Sequence, residues 1–130
     1  MNLSFSDIAP FLGAAGNELR NADQNNTGAD DFIGELLIYI ADAHASIEQE
    51  EPLPDLPEIL LQGTTERISG GIVITLRVAS SVLAIAQFKA SGKLRLILRY
   101  AAESIRRVLA GQTVPGLAPA IAKQLMAGKA

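Results

Sequence analysis

No cysteine and no tryptophan occur in the 130 residues, and His44 is the single histidine. The first absence excludes disulfides, thiolate zinc sites, iron–sulfur clusters and cysteine nucleophiles. One imidazole excludes an all-histidine metal site. Aromatic residues make up only 5% of the chain, which leaves little for stacking nucleobases. No uninterrupted apolar run is long enough to span a bilayer. A spanning helix needs roughly 20 apolar residues, and an arginine at its centre costs about 3 kcal/mol. The longest run, 70–88, is broken by Arg77 and Gln87. The first seven residues have no basic region and an early acid, Asp7, which predicts no secretory signal. A soluble cytoplasmic protein without a membrane partner is expected.

What is present suits one globular domain over 1–130. Apolar residues are 48% and charged residues 19% of the chain. A chain of this length buries about two-thirds of its unfolded surface, enough for a core without staples.

Each half of the chain lacks one sign of charge. Residues 1–66 hold thirteen acids and one base, Arg20, for a net −12. Residues 67–130 hold ten bases and one acid, Glu103, for a net +9. The overall charge of −3 hides this segregation, which is the most informative feature of the sequence.

In the acidic half, Ser6 and Asp7 suit the start of a first helix. Ile8, Phe11, Leu12, Ala15 and Leu19 keep helical spacing. Gly13 and Gly16 each weaken that helix by about 1 kcal/mol. The polar stretch 21–28 reads as a loop. A second helix starts at Thr27 or Asp30 and runs to Glu50, with Ile33, Leu36, Leu37, Ile40, His44 and Ile47 on one stripe. Glu48, Glu50 and Glu51 crowd its unfavourable C-terminal end and call for a basic neighbour. Three prolines then stiffen 51–57, and a short helix over 56–62 is expected before Gly63.

Residues 64–100 admit two readings. Turn-like clusters recur at Ser69-Gly70-Gly71, Ala79-Ser80-Ser81 and Ala90-Ser91-Gly92. Between them, apolar residues alternate at Ile72, Ile74, Leu76 and Val78, and again at Leu94, Leu96, Leu98 and Tyr100. A single helix over 65–90 would place Phe88 and Val73 on the face of Arg77 and bury Gly70-Gly71 in its interior. These features predict an α+β fold: N-terminal helices packed on a small antiparallel β-meander (about 68–100), followed by C-terminal helices. The alternative is an all-α helical bundle, because Leu94, Ile97, Leu98, Ala101, Ile105, Val108 and Leu109 also form a helical stripe ending at Gly111. Both readings make 101–110 helical. The tail 112–130 is expected to be flexible or to dock, with a short helix at 121–126.

No catalytic constellation emerges. His44 has Glu48 one helical turn away, but no nucleophile or pocket accompanies them, so an ion pair at the core edge is the expected role. Asp30, Asp31, Glu35 and Asp42 lie along one helix without the loop spacing that a hard cation needs. No Gly-x-Ser-x-Gly elbow occurs, and Lys93 is followed by Leu94, which breaks the phosphate-loop pattern. No enzyme, metal or cofactor is expected.

The expected function is a non-enzymatic structural or interaction protein. It self-associates through an acidic surface (Asp30, Asp31, Glu35, Asp42, Glu48) and a basic one (Arg77, Lys89, Lys93, Arg95, Arg99, Arg106, Arg107). In the meander reading the first five of these bases project from one sheet face, opposite a face that holds Leu76, Val82 and Phe88. The partner is a second copy or another protein. The alternative is an accessory protein that binds nucleic acid non-specifically through the basic residues, against an overall pI of 5.1.

Overall fold

Of the two glycines that weaken the first helix by propensity, Gly16 is what lets it pack. A computed structural model describes residues 5–22, 29–64, 73–90 and 92–126. Helix α1 spans Phe5–Ala22 and α2 spans Ala29–Glu48. A Cβ on Gly16 would stand 2.7 Å from the carbonyl oxygen of Gly34, and one on Gly34 would stand 2.7 Å from that of Gly16. The backbones therefore touch where they cross. A Cβ on Gly13 would reach Ala41 at an ordinary 3.5 Å. Rising numbers on α1 meet falling numbers on α2, so the two helices are antiparallel. Leu12, Leu19, Ile33, Leu36, Leu37 and Ile40 seal the crossing and are fully buried. Residues 23–28, with the candidate start at Thr27, and the side chain of Ser6 lie outside the described residues.

Helix α2 stops two residues before Glu50. Glu50 adopts φ 57°, and the Glu51 amide donates to the Ser46 carbonyl at 2.8 Å, a six-to-one closure that glycine usually serves. The prolines then lead to α3, Glu58–Gln62, close to the expected 56–62. Tyr39 fastens this connector to the bundle by donating to the Pro54 carbonyl at 2.9 Å.

The β-meander is not formed by 73–100. Helix α4 spans Val73–Lys89 and α5 spans Gly92–Leu109, so the mainly helical alternative fits. The physical reason is visible in α5. Leu94, Ile97, Leu98, Ala101, Ser104, Ile105 and Val108 are buried, at helical spacing. Leu96 and Tyr100 flank that face half-buried, so a broad helical stripe mimics strand alternation over eight residues. One objection to a helix also dissolves: the face shared by Arg77 and Phe88 is the exposed one. Residues 65–72, with the turn-like cluster expected at Ser69-Gly70-Gly71, and Ser91 lie outside the described residues.

Strand structure among the described residues is a two-residue antiparallel pair: β1, Gly63–Thr64, against β2, Val114–Pro115, with Gly63 opposite Pro115. This pair anchors the tail. The Leu117 amide donates to the Leu60 carbonyl at 2.9 Å, and Val114, Leu117 and Leu125 are buried. The last helix, α6, spans Pro119–Met126 and lies against α5. Helix α5 ends at Leu109, and Gly111 (φ 74°) follows in the turn, at the expected stop.

The four long helices close a ring of neighbours, α1–α2–α5–α4, with α4 returning to α1. Phe32 meets Tyr100 edge-to-face inside it, ring centroids 6.4 Å apart. No helix among the described residues is long and apolar enough to cross a membrane.

Candidate interaction surface

The helical geometry sorts the basic residues differently from a sheet face. Arg95, Arg99 and Arg106 fall on one exposed ridge of α5, at spacings of four and seven residues. Glu103 stands among them and binds Arg106 and Arg107, the latter with Nε at 3.2 Å. That lone acid is held below its ordinary carboxylate value, chiefly by its hydrogen bond to Arg106. Arg107 turns its other end toward the Thr113 carbonyl. Arg77 and Lys89 belong instead to the outer face of α4, and Lys93 sits half-buried in the first turn of α5.

The acidic residues also divide. Asp31 and Glu35 face the crossing of α1 and α2, where Arg20 Nε lies 3.0 Å from Glu35 Oε1 and 3.8 Å from Asp31 Oδ1. The stem of Arg20 occupies the space that a side chain on Gly34 would need. Asp42 is exposed, and Glu48 is 3.4 Å from Nε2 of His44. The side chain of Asp30 is outside the described residues. Glu50, Glu51, Asp55 and Glu58 extend an exposed acidic edge from the end of α2 along the connector.

A simple rule covers these ion pairs. Among the described residues, the one base of the acidic half pairs with acids of that half, and the one acid of the basic half pairs with bases of that half. The two halves do pack, α2 against α5, with apolar side chains between those helices.

A shallow groove of about 720 Å³ runs over α5 between α4 and α6. Arg99, Arg106, Glu103, Gln87 and Ser80 line it with Tyr100. Tyr100 donates its hydroxyl to the Pro115 carbonyl at 2.7 Å, and burial pushes its pKa up to about 12. Tyr39 is likewise raised to about 12, mainly by burial and then by Asp55. Both hydroxyls hold connectors. For each, the folded pKa lies above the unfolded value near 10, so the protonated form stabilises the fold. That stabilisation is complete below pH 10 and is lost as pH rises through about 12. Denaturant titrations at pH 9, 10 and 11 are expected to show stability falling above pH 10, and the fall is expected to shrink in Tyr39→Phe/Tyr100→Phe.

Sequence reasoning missed one surface. On α4, Leu76, Ala79, Leu83 and Ala86 are buried, yet Val78, Ile85 and Phe88 on the far side are exposed, Phe88 by 86%. Large apolar side chains gathered on an exposed helix face mark a surface that a partner can cover. The meander reading placed Phe88 on a buried face, and only the seven-residue interval between Val78 and Ile85 signals otherwise. No group of three or more acidic or histidine side chains able to hold a metal ion is found among the described residues. Comparison with protein-family models, with curated proteins and with solved structures finds no match.

Proposed function

We propose that the chain is a non-enzymatic interaction module that self-associates, the acidic edge of one copy meeting the basic ridge of another. One observation carries this. Arg77, Lys89, Arg95 and Arg99 are exposed without an ion-pair partner among the described residues, and so are Asp42, Glu50 and Glu51. These two sets of exposed charges are opposite in sign, and among the described residues no ion pair within the chain joins them. Opposite patches on one subunit give head-to-tail contacts that close into rings or run on as arrays. Charge supplies register and association rate, and apolar burial supplies most of the affinity.

The test is Arg95→Glu/Arg99→Glu at low salt. Light scattering is expected to show association weakened about tenfold or more, and salt is expected to weaken the wild type in the same direction. Association that ignores both changes would rule out the charged contact. Nucleic acid is the second reading, favoured by the unpaired Arg95 and Arg99. Glu103 argues against it by neutralising the rest of the ridge, and absence of DNA or RNA retardation at low salt would remove it.

A further inference from the structure

We infer that the outer face of α4 is a two-fold interface with the α4 of a second copy. This rests on the self-association reading and adds to its head-to-tail contact a second, two-fold one. Val78, Ser81, Ile85 and Phe88 are spaced by three, four and three residues, the a and d positions of two heptads. Such a stripe matches itself when reversed. An antiparallel pairing sets Val78 opposite Phe88 of the second copy, and Ser81 opposite Ile85, with each contact repeated by the two-fold axis. Ser81 is small and satisfies its hydroxyl on the Arg77 carbonyl, so the middle of the stripe permits close approach without an unpaired donor.

Charge selects this partner and register. Helix α4 carries Arg77 and Lys89 and no acid. In the antiparallel register Lys89 arrives beside Thr75 of the second copy. There the Thr75 hydroxyl donates to Glu18 Oε1 at 3.3 Å, which holds an exposed carboxylate at the edge of α4. Each copy thus supplies the acid that the other copy's α4 lacks. Arg77 lies on the opposite flank of the stripe and meets neither Lys89. Beside the stripe, Phe11 and Ala14 of α1 form with Val78 an apolar groove of about 250 Å³. The pairing covers it and widens an interface that a single helix pair would leave small.

The positions are exposed, so substitutions leave the fold intact, which circular dichroism checks. In sedimentation equilibrium the wild type is expected to populate twice the 13.7 kDa chain mass. Phe88→Asp is expected to weaken the dimer by about 30-fold or more. Lys89→Glu is expected to weaken it, and Lys89→Glu/Glu18→Lys to restore it. Because the chain has no tryptophan, Phe88→Trp gives a single reporter whose emission is expected to shift to the blue as protein concentration rises. If the wild type associates while Phe88→Asp and Lys89→Glu change nothing, this interface is wrong and self-association stands. If the wild type is monomeric throughout, both fall. A blue shift seen only on adding vesicles of mixed zwitterionic and anionic phospholipid would give the face to a bilayer and overturn the pairing.

Discussion

Gly13→Ala and Gly16→Ala, the same chemical change three residues apart on α1, are expected to move stability in opposite directions. At Gly13 the new methyl would meet Ala41 at 3.5 Å, ordinary contact, and the helix gains up to about 1 kcal/mol in propensity. At Gly16 the methyl would stand 2.7 Å from the Gly34 carbonyl oxygen and 3.1 Å from the Ile38 amide nitrogen. Backbone cannot rotate aside as a side chain can, so α1 and α2 must separate along the largest helix contact in the fold. The net cost is about 2 kcal/mol for alanine and more for any larger residue. Urea unfolding midpoints decide it. A Gly16→Ala protein as stable as Gly13→Ala would show that the helices do not cross there.

Gly63→Ala is expected to be costlier still, because two penalties coincide. Its φ of 76° with ψ of −165° is a region essentially reserved for glycine. The added Cβ would also press on the Gly116 nitrogen at 2.6 Å. Together these destabilise by about 3 kcal/mol, concentrated where β1 grips β2. Gly111→Ala is the matched control, since its φ of 74° carries the strain but its Cβ would meet nothing within 4 Å. Hydrogen exchange at the Leu117 amide is expected to quicken sharply in Gly63→Ala and little in Gly111→Ala. Equal protection in all three proteins would mean that the tail is held by something other than the strand pair.

Local signals were legible in the sequence wherever one period dominated. The stripe through Ile33, Leu36, Leu37 and Ile40, the proline connector, the short α3 and the stop at Gly111 all follow from spacing and turn chemistry. Residues 73–100 misled because the helix there is broad in its apolar content. Leu96 and Tyr100 beside the buried face of α5 imitate alternation, and the exposed Ile85 and Phe88 hide the buried stripe of α4. The role of Gly16 was illegible for a different reason. Propensity counts what a glycine costs its own helix, whereas its value here lies in a second helix, at Gly34. Charge segregation was plain from composition. What it does inside the chain was not, since Arg20 and Glu103 each serve their own half.

Sedimentation velocity of the wild-type chain, as a concentration series in low and in high salt, tests self-association through opposite charges most directly. The expected result is a mass that grows with concentration from the 13.7 kDa chain at low salt and falls back as salt is raised. A single 13.7 kDa species at every concentration in both buffers would contradict it.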